Sequence, residues 1–167
     1  SPGYNSLNHK NLFDENRKFP ALAFVYYRNG KPIYRAINEF RADEFDADTQ
    51  TPKCRIGESF FHFESASYGS GYVLEIKANL NKGRCLEAKF EWLSIESDLL
   101  PFTQEISHQT HFWNLVSPRS DVTGKITITN RKGKSEDEIH FRGTGYHDHN
   151  FDSRWMPTTV EEWQWGR

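Results

Sequence analysis

The sequence has few sulfur-containing residues, with two cysteines and one methionine among 167 residues. Cys54 and Cys85 lie far apart and match no metal-binding spacing, and one pair of cysteines does not by itself predict a disulfide. No apolar run approaches the roughly 20 residues that a membrane-spanning helix needs. Any membrane contact is therefore expected to be peripheral.

An excess of charge is lacking as well. The 21 Lys and Arg residues nearly balance the 23 Asp and Glu residues, which leaves a formal net charge of -2. Proteins that bind polyanions concentrate basic charge on one surface, so nucleic acid is not expected as a partner. A neutral or apolar small molecule is easier to accommodate.

Helical periodicity longer than about three turns is also absent, whereas aromatic residues are plentiful. Phe, Trp and Tyr make up 15% of the chain, against 36% for all hydrophobic residues. Such a share is typical of β-structure and of aromatic-walled cavities. The chain is therefore expected to be all-β, with its aromatic side chains either packing a core or lining a ligand cavity.

The length of the chain suits one domain. Residues 1–20 are polar without a period and are predicted to form an N-terminal segment, followed by the domain itself over residues 21–167. The chain starts at Ser1 without Met and stops just after the strand-like Trp163-Gln164-Trp165. We therefore expect it to be a piece of a longer protein.

Two hairpins carry the clearest secondary-structure signals. Ala23–Tyr27 and Ile33–Ile37 flank Asn29-Gly30, and Asn-Gly between β-forming runs is the strongest short-range hairpin signal. Tyr72–Leu80 and Leu86–Trp92 alternate apolar and polar residues on either side of a turn. That alternation predicts a second hairpin with one solvent-exposed and one buried face.

The whole pattern amounts to about eight or nine short strands in almost wholly antiparallel order, which favours a closed barrel or a sandwich. The short up-and-down connections favour the barrel, and a barrel of about eight strands can hold a small ligand in its mouth. One strand starting near His108 is predicted to end at Ser117-Pro118, before the next begins at Val122.

Ionisable and amide side chains crowd together in residues 143–152, directly after a hydrophobic alternation. If residues 138–151 form a strand, Tyr146, Asp148 and Asn150 share one face of it, because side chains alternate along a strand. A carboxyl that points into an aromatic cavity keeps its proton near neutral pH, since burial disfavours the charged form. Asp148 is thus a candidate proton donor that Tyr146 orients.

A second strand offers two further candidates, His111 and Trp113, which share a face and could meet Asp148 across a cavity. The face of Trp113 would stabilise a developing cation. In the alternative interpretation, Tyr146 and Asp148 are a hydrogen-bonded pair that ties down a strand end and has no catalytic role.

A metal site is the remaining interpretation of this stretch. His147 and His149 lie on the other strand face and could supply two ligands. A site needs three or four, and no spacing specifies His62 or His140 as the third. We therefore expect no metal, and for His147 and His149 a role either in packing or in supporting neighbouring site residues.

Several short motifs carry a resemblance to a known family. They are Gly143-Thr144-Gly145-Tyr146-His147-Asp148-His149-Asn150, His111-Phe112-Trp113-Asn114, Ser117-Pro118-Arg119 with Gly124, Arg55-Ile56-Gly57 and Trp163-Gln164-Trp165-Gly166-Arg167. Together they resemble the carotenoid 1,2-hydratase (hydroxyneurosporene synthase) superfamily, whose domain is also called AttH-like. The match spans residues 55–167.

The resemblance implies a lipocalin-like barrel, usually the first of two in tandem, so that a second lipocalin-like domain would be a partner. It also implies a cofactor-independent hydro-lyase or cyclase that acts on an isoprenoid or another apolar polyene. A non-catalytic binder of a hydrophobic molecule is the alternative. The family's functional residues fall on His111, Trp113, Tyr146 and Asp148.

The expected ligand-binding residues are Phe112, Asn150, Trp163 and Trp165. The chain also departs from the family pattern. Where the family commonly has Trp-Gly after the Asn, this chain has Phe151-Asp152. The identity of the substrate therefore does not transfer.

Overall fold

The structure, a computed structural model, describes residues 19–48, 50–67, 69–94, 102–106 and 109–152, with the backbone alone described at 66, 102–106, 109–113 and 151–152. Within these ranges the chain forms ten strands and two short 3-10 turns. None of the helices found there has the length and hydropathy to cross a bilayer. The strands are β1 Ala21–Arg28, β2 Lys31–Glu39, β3 Phe45–Asp48, β4 Lys53–Ile56, β5 Ser59–Ala66, β6 Gly69–Leu80, β7 Arg84–Ser94, β8 Phe102–Ile106, β9 Gln109–Thr129 and β10 Ser135–Asp152.

All the strand pairs are antiparallel, so the predicted all-β class is confirmed. β1 and β2 form a two-stranded sheet of their own. The other strands form one sheet in the order β10-β9-β7-β6-β5-β4-β3. β8 pairs with the first residues of β9, 109–113, whereas β7 pairs with its last residues, 120–129. The first hairpin turns as predicted: Asn29 and Gly30 have φ of 53° and 73°, as the favoured two-residue hairpin turn requires.

The large sheet is strongly curled. β10 and β5 are four strands apart in it, which is roughly 19 Å across a flat sheet. Nevertheless the rings of His147 on β10 and Phe61 on β5 have centroids 6.0 Å apart. The sheet therefore bends into a barrel-like trough with an inner and an outer face, and in the described ranges no pairing joins β10 to β3.

The hydrophobic core lies on the inner face, under the β1–β2 hairpin. Full burial of one aliphatic side chain there contributes about 1.5–3 kcal/mol. The hairpin is held by a hydrogen bond from Tyr34 Oη to Asp137 Oδ2 (2.8 Å) and by Asn38, whose amide pairs with the backbone of Asn79. The buried core residues are Ala36, Ala78, Leu80, Leu86, Ala88, Ile126 and Ile128, with Leu22, Phe24, Tyr26, Tyr34, Ile76, Phe90 and Ile139 packed against them.

The outer face carries charged residues that form ion pairs between neighbouring strands and, in one case, with the turn between β4 and β5. The predicted solvent-exposed and buried faces of the β6–β7 hairpin are thus confirmed. The pairs are Lys77 with Glu58 at 2.8 Å, Lys89 with Glu75 at 2.7 Å and Lys125 with Glu138 at 2.8 Å.

The predicted break at Ser117-Pro118 is wrong, because β9 runs unbroken from Gln109 to Thr129. Opposite this point the register shifts twice: Gly145 pairs with Ser120, His147 with Ser117 and Asp148 with Leu115. β9 therefore holds extra residues against β10, as in a β-bulge. Proline, which has no backbone N–H, is tolerated in a bulge because no hydrogen bond to the partner strand is needed from that position.

Candidate functional site

The bulge between β9 and β10 places a glycine where no side chain fits. A Cβ built on Gly145 would lie 2.2 Å from Cζ2 of Trp92 and 2.5 Å from Cγ2 of Val122. The indole of β7 therefore reaches across β9 and rests on the backbone of β10. This glycine therefore makes room for Trp92.

Two residues further on, His147 packs against aromatic side chains of the opposite wall. Its ring centroid lies 4.9 Å from that of Tyr72, with the planes perpendicular, and 6.0 Å from that of Phe61. Phe63 packs edge-on against Tyr72 at 5.4 Å. We call Phe61, Phe63, Tyr72 and His147 the aromatic cluster.

The aromatic cluster is an uncharged environment. Burial lowers the pKa of His147, while the neighbouring charge of Asp148 opposes that shift and His149 adds to it. Burial likewise raises the pKa of the Tyr72 hydroxyl. At neutral pH the imidazole is therefore neutral and the phenol protonated.

Tyr146 and Asp148 contact each other as predicted: Tyr146 Oη donates a hydrogen bond to Asp148 Oδ2 at 2.9 Å. Both side chains are half-buried. Alternation along β10 gives them the strand face opposite to His147. The catalytic role of the pair stays a prediction, and the residue in contact with the aromatic cluster is His147, for which packing was predicted.

Two buried polar atoms near this end of the sheet have no hydrogen-bond partner among the described residues. They are Nε1 of Trp92, a donor, and Oδ1 of Asn150, an acceptor. Leaving such a group unpaired costs about 1–3 kcal/mol, so unpaired groups in a folded protein call for an explanation, such as a ligand or water that pairs with them. Asn150 therefore remains a candidate ligand-binding residue, and Trp92 is one that the sequence interpretation missed.

Three serines at the bulge were also missed. Ser117 Oγ lies 2.9 Å from Ser94 Oγ and 2.5 Å from Ser120 Oγ, and neither Ser117 nor Ser120 is exposed. These hydroxyls form hydrogen bonds with one another. They lie beside the backbone of His147 and Gly145, which are the β10 partners of Ser117 and Ser120. The only available signal was the small polar residues around Pro118 between apolar runs.

The remaining predicted site residues lie partly or wholly outside the described residues. The backbones of His111, Phe112 and Trp113 belong to β9 and pair with Asp152, Phe151 and Asn150, but their side chains lie outside the description. Trp163 and Trp165 lie outside it entirely. The register thus places positions 111 and 113 on the strand pair that carries Asp148, and the predicted roles of these residues stay predictions.

The metal interpretation gains no third ligand from the part of the chain that the structure describes, in which no three His, Cys, Asp or Glu side chains converge. His62 contacts Glu64 at 2.8 Å and His140 contacts Glu138 at 3.1 Å, both at the surface. Cys54 and Cys85 are free thiols.

A cleft of about 560 Å³ opens on the outer face, around the ends of β6 and β7. Glu64, Glu91 and Asp121 border it together with Val73 and Leu93. Three carboxylates make this cleft unsuited to an apolar molecule. The candidate site for such a molecule therefore remains the segment of β9 and β10 around the bulge.

Comparison with known proteins gives one informative relative. No family model and no solved structure matches the chain. A hydroxyneurosporene dehydrogenase from Chlorobaculum tepidum is 39% identical over 153 residues, which cover 89% of this chain and 40% of the relative. The chain thus spans two fifths of the relative's length. The similarity of the chain to a protein named for hydroxyneurosporene confirms the resemblance to the carotenoid 1,2-hydratase (hydroxyneurosporene synthase) superfamily that the sequence motifs carry.

Proposed function

We propose that the chain acts on an isoprenoid or another apolar polyene by acid catalysis, as a cofactor-independent hydratase or cyclase. The observation that carries the proposal is the hydrogen bond from Tyr146 Oη to Asp148 Oδ2. The similarity to a chain named for hydroxyneurosporene supports an apolar polyene as the substrate class.

In the hydratase reaction, Asp148 transfers a proton to one carbon of a double bond, and the other carbon becomes a cation. Water adds to that cation and loses a proton, which restores the acid. The sum is alkene plus water giving alcohol, so no oxidant or cofactor is consumed. In a cyclase, a second double bond of the same polyene attacks the cation in place of water.

Tyr146 orients the carboxyl group of Asp148. Its hydroxyl donates a hydrogen bond to Asp148 Oδ2 at 2.9 Å. Fixing the acid in one orientation lowers the entropy lost on reaching the transition state. Tyr146 is thus a positioning residue in this scheme.

His111 and Trp113 complete the proposed site. Trp113 shields the cation with its ring face, and His111 positions the attacking water. Support comes from the register, which sets Trp113 opposite Asn150 and His111 opposite Asp152 on the same strand pair. On the opposite face, the contact of His147 with Tyr72 and Phe61 holds β10 in place.

The test compares Asp148→Asn with wild type in the full-length protein, with product from a linear carotenoid precursor measured by chromatography. We expect turnover to fall by about 10²–10⁴-fold, the usual share of general acid catalysis, while binding of the polyene stays nearly unchanged. Asp121→Asn, at an exposed carboxyl of β9, is the matched control. An unchanged rate for Asp148→Asn contradicts the mechanism.

A second candidate function is non-catalytic binding of a hydrophobic molecule. The buried Asn150 Oδ1, which has no hydrogen-bond partner among the described residues, favours it, because a donor group of a ligand on the face of Tyr146 and Asp148 would pair with it. Binding alone predicts saturable uptake of the polyene, no product from any polyene tested, and affinity that does not respond to Asp148→Asn.

A further inference from the structure

The β1–β2 hairpin is apolar on both of its faces. Its inward side packs on the core through residues such as Phe24 and Tyr34. Its outward side alternates with the inward one and is exposed at every position. The outward positions include Val25, Tyr27, Ile33 and Ile37, whose residues are 39%, 60%, 43% and 72% exposed.

This outward side differs from the rest of the outer surface. On the outer face of the large sheet, charged residues pair across strands, such as Lys89 with Glu75, and the exposed large apolar residues described on that sheet are Phe63, Leu93 and Phe141. Antiparallel sheets that face water on one side normally show this apolar-in, polar-out pattern. A contiguous exposed apolar patch that breaks the pattern marks an interaction surface.

The same hairpin concentrates positive charge. Within the hairpin, Arg28, Lys31 and Arg35 are accompanied by one carboxylate, Glu39. With Asp137, which pairs with Arg28, three cations and two carboxylates leave a local charge of +1 in a chain whose net charge is -2. Arg35 lies between Ile33 and Ile37 on the outward side. Among the described residues, only Arg28 of these three cations has an ion-pair partner, Asp137 at 3.6 Å.

Aliphatic side chains, a tyrosine and basic residues on one exposed face match the chemistry of a bilayer surface. The apolar groups enter the boundary between headgroups and acyl chains, tyrosine favours that boundary, and the cations pair with anionic lipid headgroups. A protein partner without acidic groups would leave Lys31 and Arg35 unpaired. We propose that the outward side of the β1–β2 hairpin docks onto the surface of a bilayer that contains anionic lipids.

The hairpin presents this surface as a fixed part of the domain. The hydrogen bonds of Tyr34 with Asp137 and of Asn38 with Asn79 hold its inward side to the large sheet. Docking therefore needs no unfolding or rearrangement of the hairpin. It also does not depend on the proposed acid catalysis, because the binding assay needs no substrate.

The test measures co-sedimentation of the full-length protein with vesicles of phosphatidylcholine, alone or mixed with phosphatidylglycerol. We expect binding to the mixed vesicles that weakens with added salt. The double variant Ile33→Ser/Ile37→Ser should bind about tenfold more weakly, since it removes the apolar groups that enter the bilayer. Lys31→Gln/Arg35→Gln should lose the preference for the anionic lipid.

Control variants carry matched changes elsewhere on the surface. Leu93→Ser removes an apolar side chain that is 41% exposed on the outer face of the large sheet, and Lys132→Gln removes an exposed charge in the β9–β10 turn. Both should bind vesicles like wild type. Hydrogen exchange of the wild-type hairpin amides, slowed by the mixed vesicles, provides a readout that no variant can confound by misfolding.

Three outcomes overturn the proposal. One is absence of binding to the mixed vesicles, and another is hairpin exchange that the vesicles leave unchanged. The third is a wild-type dimer that Ile33→Ser/Ile37→Ser dissociates, because a second copy of the chain would then cover the same surface.

Discussion

The ring of His147 stands perpendicular to that of Tyr72, with 4.9 Å between their centroids, although their strands β10 and β6 are three positions apart in the sheet. This contact crosses the trough formed by the curled sheet. It links β10, which carries the polar residues 143–152, to β6 in the opposite wall. The stability and the pH response of the domain should therefore depend on His147.

Replacing His147 with alanine should destabilise the domain by about 2 kcal/mol, because it removes the contacts with Tyr72 and Phe61 and leaves a cavity. Urea unfolding measures the loss. His147→Phe keeps a ring in this place and should cost much less. Equal losses for both variants would mean that the ring packing contributes little.

The lowered pKa of His147 predicts how stability depends on pH. The unfolded chain binds the imidazole proton near the ordinary pKa of about 6.5, whereas the folded protein binds it only at lower pH because the ring is buried. The free energy of unfolding is therefore highest above about pH 6.5 and falls as pH drops from there through the folded pKa.

Urea unfolding of wild type and His147→Phe across this pH range isolates the effect, since the other titrating groups are common to both. The difference in free energy of unfolding between the two proteins should change in the acidic part of the range and be constant above neutrality. A difference that is constant throughout would show that His147 titrates alike in both states.

Gly145→Ala should destabilise the domain by about 1–3 kcal/mol, the usual cost of overpacking, because its Cβ would overlap the indole of Trp92. Trp92→Leu should suppress part of that cost in a double-mutant cycle, since the overlapping atoms are then absent. Gly143→Ala is the control: its Cβ would meet only the ring end of Phe141, at 3.2 Å. Additive costs for Gly145→Ala and Trp92→Leu would contradict the clash.

Tyr34→Phe should weaken the attachment of the β1–β2 hairpin by about 1 kcal/mol, the net value of one hydrogen bond, because it removes the bond to Asp137. Faster hydrogen exchange of the hairpin amides is the measurement. Tyr27→Phe, at the outward side of the same hairpin, should leave exchange unchanged. Exchange that responds equally to both would show that Tyr34 and Asp137 do not anchor the hairpin.

Local features of the fold were predictable from the sequence because their causes are local. Asn29-Gly30 between β-forming runs specifies its own hairpin turn, and alternation from Tyr72 onward specifies which side of β6 is buried. The hydrogen bond between Tyr146 and Asp148 follows from the same period of two. The ending predicted at Pro118 failed because a bulge depends on the partner strand, which the residues around the proline do not reveal.

By itself, the sequence determined the antiparallel all-β class, the first hairpin and the grouping of Tyr146 with Asp148, since each follows from turn chemistry or from side-chain alternation within one strand. Only the tertiary structure decided that His147 meets Tyr72 and Phe61, that Trp92 covers Gly145, and that the first hairpin is a separate sheet with an exposed apolar side. These contacts depend on how far the sheet curls. Curl accumulates over several strand pairs and bulges, so no single stretch of sequence specifies it.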